Sequence, residues 1–172
     1  MLALLLVVMG VVMRLLPHLA NFTPIAAIAL FGGVYLKRTY ALFLPLAAVI
    51  LSDIAIGFDS LESRLTVYGS FLLIGLIGLA IRKRKNVATV VAGSISGSVV
   101  FYLITNFAFF YTPTMYPHNM TGVLGSYYNA LPFFRNTLLG DLFYTGLLFG
   151  AYELANLMYK HRAKLFNPSL AQ

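Results

Sequence analysis

The chain is organised as six apolar runs separated by short polar or basic segments. A helix needs about 20 apolar residues to cross a bilayer, so this pattern predicts membrane helices throughout the chain. We expect an all-α integral membrane protein, a six-transmembrane-helix bundle that forms a single domain over residues 1–172. The predicted helices cover residues 2–16, 24–36, 40–57, 65–81, 87–111 and 134–160.

The unequal lengths of these runs predict a depression at one end of the bundle. The first four are at or below the length that spans a bilayer, and the last two exceed it. The shortest, residues 24–36, would rise about 20 Å and follows a polar turn at Asn21, Phe22 and Thr23. Non-helical backbone at membrane depth is tolerated only inside protein or beside a water-filled cavity. We therefore expect a pocket beside this turn.

The connection over residues 112–133 is predicted to be an irregular loop that lies over the depression. It is rich in Tyr, Pro, Gly and Asn, and long loops in compact bundles are mostly lids, binding loops or disordered segments. Its aromatic residues argue against disorder: Tyr116, Tyr127, Tyr128, Phe133 and, directly after it, Phe134. Two interpretations remain open, a binding loop over the pocket and an aromatic belt at the membrane interface.

Composition supports the membrane assignment. Hydrophobic residues make up 60% of the chain, charged residues 10%, and the mean hydropathy is +0.85, whereas soluble domains carry about 25% charged residues. The chain has no cysteine, which excludes disulfides, thiolate metal sites and a cysteine nucleophile. The lipid bilayer is the first expected partner.

The basic residues predict the orientation. The net charge is +7, but the cations lie in short segments between apolar runs, which is typical of membrane topology and not of nucleic-acid binding. With six spans, one side would hold Lys37, Arg38, residues 82–85 and the basic tail, and the other side only Arg14, Arg64 and Arg135. The positive-inside rule then places both termini in the cytoplasm of a bacterial inner-membrane protein.

Five ionisable residues fall within or at the ends of apolar runs, where an unpaired charge costs at least about 2.5 kcal/mol. They are Arg14, Asp53, Arg135, Asp141 and Glu153. The first four are expected in the outer half of the bundle, where two cations and two anions could neutralise one another. Structural ion pairs and ligand-holding groups both remain open as their role.

The last two predicted helices each combine a polar face with a glycine pair. On the last helix, we expect Gly146 and Gly150 to allow close packing, because small residues four apart let helices approach. On the fifth, Gly93 and Gly97 have the same spacing. The polar faces comprise Thr137, Asp141, Tyr144, Thr145 and Tyr152 on the last helix, and Ser94, Ser98, Tyr102, Thr105 and Asn106 on the fifth.

The sequence gives little support for a catalytic site or a metal site. The segment from Gly93 to Gly97 reads Gly-Ser-Ile-Ser-Gly, which departs from a serine-hydrolase motif, and no histidine lies on a predicted membrane helix to act as its base. His18 and His118 are too widely spaced for a local metal motif. We expect a non-enzyme without a cofactor or a bound metal.

Several segments resemble a family of small bacterial membrane proteins of unknown function. They are residues 21–33 (NFTPIAAIALFGG), Leu51-Ser52-Asp53, Thr105-Asn106-Phe107, Tyr116-Pro117 and residues 131–141 (LPFFRNTLLGD). That family in turn is similar to the substrate-binding S subunits of energy-coupling-factor (ECF) vitamin transporters. The resemblance implies an S-subunit-like six-helix fold that binds a vitamin-sized micronutrient from outside. It also implies docking on an ECF T subunit driven by two ATPases.

The first helix departs from that family's pattern. Many S subunits dock the T subunit through Ala-x-x-x-Ala on this helix, whereas here only Ala3 and Gly10 are small. The resemblance therefore leaves open whether the chain works with an ATPase module or alone. A cobalamin-specific solitary branch uses a cysteine, which this chain lacks.

The expected function is binding and uptake of a small, vitamin-like solute from the outer side of the membrane. Phe22, Tyr111 and Tyr128 could stack on a flat ring, and polar side chains could fix its orientation. A balanced pocket charge would favour a neutral or zwitterionic ligand. The alternative is a non-transporting accessory or structural membrane protein with a polar outer interaction surface. The predicted ligand-binding residues are Asn21, Phe22, Thr23, Asp53, Asn106, Tyr111, Tyr128, Arg135, Asn136 and Asp141.

Overall fold

The computed structural model describes residues 1–111 and 115–166, and within them the side chains of residues 108, 109, 111 and 163–166 lie outside the description. This part of the chain is all-helical, as predicted, with six α-helices and a short 3-10 turn at Arg82–Arg84. The helices are α1 (Leu2–Leu15), α2 (Ile25–Tyr35), α3 (Arg38–Ile56), α4 (Leu61–Ile81), α5 (Val87–Tyr111) and α6 (Met120–Phe166).

The shortest helix, α2, forms the centre of the fold. Its 11 residues span about 16 Å, and every one of them except Tyr35 is buried. It packs against α3, α4, α5 and α6, while α1 packs mainly on α3. A helix that is apolar on all sides is suited to such a buried position. Its polar leading turn lies at the end of the bundle, where Asn21 is exposed and Phe22 and Thr23 are partly buried.

Glycines allow the closest helix contact, between α2 and α4. A Cβ added at Gly33 would lie 2.5 Å from the carbonyl oxygen of Gly75 and 2.6 Å from Cα of Gly78. A Cβ at Gly78 would clash with the carbonyl oxygen of Leu30. Because the obstacles are backbone atoms, only glycine permits this approach.

The glycine pairs on α5 and α6 behave differently from each other. Gly93 and Gly97 of α5 meet side chains of α2 and α4, since a Cβ at Gly97 would lie 3.2 Å from Ile74, so the packing prediction is confirmed there. The same prediction is wrong for Gly146 and Gly150, because a Cβ at either would meet nothing within 4 Å. These two glycines border an open groove instead.

The largest difference from the sequence prediction concerns α6. The helix begins at Met120 and not at residue 134, so most of the predicted loop over residues 112–133 is helical. Asn119 starts it, since its side-chain oxygen accepts a hydrogen bond from the Gly122 amide at 3.0 Å. Pro132 lies inside the helix, where it removes one backbone hydrogen bond without ending the helix. The proline and the turn-forming residues before it caused the misassignment.

Other boundaries differ less. α4 begins at Leu61, four residues earlier than predicted, because the Ser60 hydroxyl accepts a hydrogen bond from the Ser63 amide and caps the helix. α1 begins as predicted and ends one residue early, while α2 and α3 differ from the prediction by one or two residues at each end. α5 has the predicted bounds, and α6 ends at Phe166, six residues later than predicted.

Basic residues gather at one end of the bundle. Arg82 donates hydrogen bonds to the carbonyl oxygens of Gly33, at 2.8 Å, and of Leu36, and so satisfies the last turn of α2. Lys85 forms an ion pair with Glu153 at 2.9 Å, and the Tyr35 hydroxyl donates to the same carboxylate. Glu153 therefore belongs to this basic end, which also carries Lys37 and Arg38 beside the end of α2.

Three helical stretches among the described residues are long and apolar enough to cross a membrane. They are Arg38–Ile56, Leu61–Arg84 and Val87–Phe107. Leu2–Leu15 and Ile25–Tyr35 are apolar but shorter. The protein is thus a helical membrane protein by the length and composition of these segments.

Candidate functional site

Two adjoining cavities open at the end of the bundle opposite the basic residues. The larger encloses about 440 Å³ and the smaller about 230 Å³, and both are lined by Asn21, Val67, Phe101 and Thr137. The larger is otherwise lined by Asp59, Ser63, Tyr102, Thr105, Asn106, Met115, Tyr116, Ser126, Asn129, Ala130, Phe133 and Phe134. The smaller is otherwise lined by Arg14, His18, Thr23, Ile25, Ala26, Phe71 and Asp141.

The turn before α2 borders both cavities, as its polar sequence predicts. Asn21 adopts a left-handed backbone conformation, with φ of 63°, which asparagine tolerates better than most residues. Around it, the Phe22 amide donates to the Leu19 carbonyl at 2.9 Å. This tight turn directs the chain from α1 into the buried helix α2. Asn21 thereby borders both cavities, and Thr23 borders the smaller one.

Asp53 forms a structural ion pair with Arg14. Their closest nitrogen–oxygen distance is 2.8 Å, and the Tyr68 hydroxyl donates to the second carboxylate oxygen at 2.6 Å. Arg14 also donates to the Ser52 hydroxyl at 2.7 Å. Both oxygens of Asp53 are therefore engaged within the protein, and Asp53 is not among the residues that line either cavity.

Asp141 differs from Asp53 because no cation neutralises it among the described residues. Its residue exposure is only 3%, and its single hydrogen bond comes from the Ser98 hydroxyl to Oδ2 at 2.7 Å. The expected pairing with Arg135 is wrong, since Arg135 is exposed and forms no ion pair within the described part of the chain. The second oxygen, Oδ1, has no protein partner there, and Asp141 lines the smaller cavity.

An aromatic wall closes one side of the larger cavity. It consists of Phe101 and Tyr102 from α5, Phe133 and Phe134 from α6, and Tyr116 before α6. Tyr102 and Phe134 are in contact, with ring centroids 4.7 Å apart, and the Tyr102 hydroxyl donates to the Tyr127 carbonyl at 2.7 Å.

Asn106 stands beside this wall in the larger cavity. Its side-chain nitrogen donates to the Tyr102 carbonyl at 2.7 Å, so the amide is held in place by its own helix. Its amide oxygen has no partner within the described residues. This arrangement leaves one hydrogen-bond acceptor available to a solute.

The remaining predicted site residues lie elsewhere. Phe22 packs on Gly140 and on the ring of Tyr144, with centroids 5.5 Å apart, and so fastens the turn to α6. Tyr128 is 74% exposed, which agrees with the aromatic-belt interpretation for that residue. Arg135 and Asn136 are not among the residues that line the two cavities. The side chain of Tyr111 lies outside the described residues.

The structure adds site residues that the sequence prediction missed. Asp59 lies just before α4 and Ser63 lies in its first turn, while Ser126 and Asn129 come from the early turns of α6. Ser126 and Asn129 are three residues apart and share one helix face, a signal that becomes visible only once this segment is taken as helical. The polar face predicted on α6 is mostly buried, with Thr137, Asp141, Tyr144 and Thr145 inside the bundle and Tyr152 partly exposed.

The site offers hydrogen-bonding and electrostatic groups for binding. Within the described residues, no three His, Asp or Glu side chains come close enough together to hold a metal ion. His18 lines the smaller cavity, where its Nδ1 lies 2.7 Å from the Leu16 carbonyl oxygen.

Comparison with known proteins gives a family and no function. No curated protein and no solved structure matches the chain significantly. One family model, described as a family of unknown function (DUF6580), matches residues 1–165, which is nearly the whole chain. The chain therefore belongs to the DUF6580 family.

Proposed function

We propose that this protein binds a vitamin-sized solute in the two adjoining cavities and takes part in its uptake from the outer side of a bacterial inner membrane. The observation that carries the proposal is the cavity pair, which lies beside the polar turn of a buried short helix and opposite the basic end. A protein that only provided an interaction surface would have no need of two adjoining cavities beside a buried helix.

The size and chemistry of the cavities fit a small organic molecule. Ligand sites usually measure about 300–1,000 Å³ and combine apolar walls with a few polar groups. The larger cavity, of about 440 Å³, falls in this range. Its aromatic wall provides area for a flat ring, while Asn21 and Asn106 provide hydrogen bonds that fix orientation.

The proposed membrane arrangement has six crossings with both termini in the cytoplasm. α1 and α2 are short, spanning about 21 Å and 16 Å, against roughly 30 Å of hydrocarbon. The two helices are therefore shorter than the hydrocarbon layer is thick. In the proposed arrangement this is tolerated because α2 is enclosed by other helices and the Asn21 turn borders the cavities, so their backbone would meet protein and cavity instead of lipid. The first turns of α6, from Met120 to Pro132, would cover the cavities from outside.

We propose that the protein works as an ECF S subunit does, either with a T subunit and its ATPases or alone. The proposal is tested by native mass spectrometry of the protein purified from cells in mild detergent. We expect a co-purified small molecule, released when the protein is unfolded. A protein that retains no solute, and transports none in vesicles, would favour the accessory-protein function instead.

Asn106 and Asn136 provide a matched pair of variants. Asn106→Leu should weaken solute retention about tenfold, because a lost hydrogen bond to a buried polar group costs about 1.5 kcal/mol. Asn136→Leu makes the same change outside the cavities and should leave retention unchanged. Retention is measured as the bound fraction in native mass spectra. Equal effects of the two substitutions would show that the cavity is not the binding site.

Topology can be tested with introduced cysteines, because the natural chain has none. Met120→Cys, at the exposed start of α6, should react with a membrane-impermeant maleimide in intact cells. Lys160→Cys, on the exposed face of the basic end, should react only after the cells are opened. Labelling of Lys160→Cys in intact cells would reverse the orientation and place the cavities on the cytoplasmic side.

A further inference from the structure

The charges around the cavities are unbalanced, contrary to the sequence-based expectation. The described lining residues include two carboxyl groups, those of Asp59 and Asp141, and one arginine, Arg14. Arg14 is already neutralised by Asp53 at 2.8 Å. Among the described residues, neither of the two lining carboxyl groups has a cation as its ion-pair partner.

Asp59 is ionised at neutral pH. Hydrogen bonds from the Ser63 hydroxyl and the Ser60 amide hold the pKa of its carboxyl below the ordinary value. The nearest cation, Arg64, lies 5.0 Å over the ring of Phe58 and forms no ion pair with Asp59 within 4 Å. Asp59 thus adds a negative charge at the mouth of the larger cavity.

Asp141 gives stronger support for a cation site than Asp59 does, because Asp141 is buried and only one of its two carboxyl oxygens accepts a hydrogen bond. Ser98 occupies Oδ2, while Oδ1 has no partner in the described part of the protein and borders the smaller cavity. A buried carboxylate without a counter-charge is costly, and a positive group placed at Oδ1 would offset that cost. The free oxygen is thus a vacant acceptor that faces a space large enough for a ligand group.

The aromatic wall favours the same kind of ligand. Cations are attracted to the faces of aromatic rings within about 6 Å, and recognition of organic cations often combines such rings with carboxylates. Phe101 lines both cavities, so a ring-bearing solute can contact the wall while its positive group reaches the smaller cavity. Thr137, one helical turn before Asp141, also borders both.

We propose that the solute is a small organic cation, a protonated amine or an N-alkylated heteroaromatic ring, whose positive group lies at Asp141 and whose apolar part lies against the aromatic wall. This inference rests on the proposed function as a solute-binding protein and specifies the charge class of the solute.

The experiment uses three probes of the same shape with the purified full-length protein in lipid nanodiscs. They are nicotinamide methylated at its ring nitrogen, which is a cation, meta-methylbenzamide, which is neutral, and meta-methylbenzoate, which is an anion. Binding is measured by calorimetry at neutral pH. We expect the cation to bind at least tenfold more tightly than the neutral probe, and the anion to bind most weakly.

Variants assign the charge preference to Asp141. Asp141→Asn should remove most of the preference for the cation without weakening the neutral probe, because the Ser98 hydroxyl can still donate to the amide oxygen. Asp59→Asn should reduce the preference for the cation by a smaller factor. This substitution also avoids the risk of misfolding that a substitution at a buried residue carries. Glu62→Gln is the matched control, since it removes an acidic group from the exposed first turn of α4, outside both cavities.

The outcomes separate this inference from the proposed function. Equal binding of cation and neutral probe, tighter binding of the anion, or no binding of any probe would overturn the cation assignment. The proposed function would survive those results if native mass spectra still showed a co-purified solute that Asn106→Leu releases. A co-purified solute that proved neutral or anionic would likewise overturn the assignment alone.

Discussion

Substituting alanine for Gly33 should destabilise the protein by about 3 kcal/mol or more, the upper end for overpacked cores. The added Cβ would lie 2.5 Å from the Gly75 carbonyl oxygen and 2.6 Å from the Gly78 Cα. No flexible side chain can move aside there, so α2 and α4 must separate. Since α2 contacts all five other α-helices, that movement would disturb the whole core. The loss is measured as a lower midpoint of thermal unfolding in detergent.

Gly146→Ala is the matched control for that substitution. Gly146 is also a helical glycine, but a Cβ there meets nothing within 4 Å. Alanine is favoured over glycine in helices by about 1 kcal/mol, so this variant should be as stable as the natural protein or slightly more stable. If Gly33→Ala unfolded at the same temperature as Gly146→Ala, the close approach of α2 and α4 would be wrong.

Removing one partner of the Arg14–Asp53 pair should cost about 3–5 kcal/mol, because it leaves the other charge without compensation among apolar helices. Asp53→Ala leaves Arg14 without its ion-pair partner. Arg14→Ala leaves Asp53 without its ion-pair partner, so that Asp53 keeps only the hydrogen bond from Tyr68. The double variant should be more stable than the sum of the two losses predicts, by about 1–3 kcal/mol. Thermal unfolding of the four proteins in one detergent measures this coupling.

Lys85 and Glu153 serve as the comparison pair. Their ion pair has nearly the same length, 2.9 Å, but the side chains are 42% and 43% exposed. Exposed pairs contribute at most about 1 kcal/mol, so their coupling should be much smaller than that of Arg14 and Asp53. Additive losses at Arg14 and Asp53 would mean that the two charges are not paired in the folded protein.

The sequence was sufficient to predict the helical class and the position of the pocket. Apolar runs of membrane length, separated by polar segments, predict helices, because the backbone N–H and C=O groups must form their hydrogen bonds within each segment. The short run after Asn21 was sufficient to predict a pocket beside the polar turn, and both cavities border that turn. Helical periodicity predicted that the polar residues of α6 share one face, whereas the burial of that face is seen only in the structure.

Helix α6 shows where local signals mislead. Pro132 and the glycines before it predict a loop, yet the helix continues from Met120 through the proline. Gly122, Ser126 and Ala130 are buried at four-residue spacing, so tertiary packing of this face outweighs the weak local propensity. The misassigned segment therefore hid Ser126 and Asn129, which line the larger cavity.

Only the tertiary structure decided which charges pair and which glycines pack. Sequence spacing shows that residues share a helix face, but it does not show which neighbouring helix that face meets or how deep it lies. Arg14 meets Asp53 across α1 and α3, whereas Arg135 points away and leaves Asp141 to a single hydroxyl from α5. Gly33 meets backbone and Gly146 meets open space, although both are helical glycines in apolar runs. These differences arise from contacts between residues distant in the chain, which no local pattern encodes.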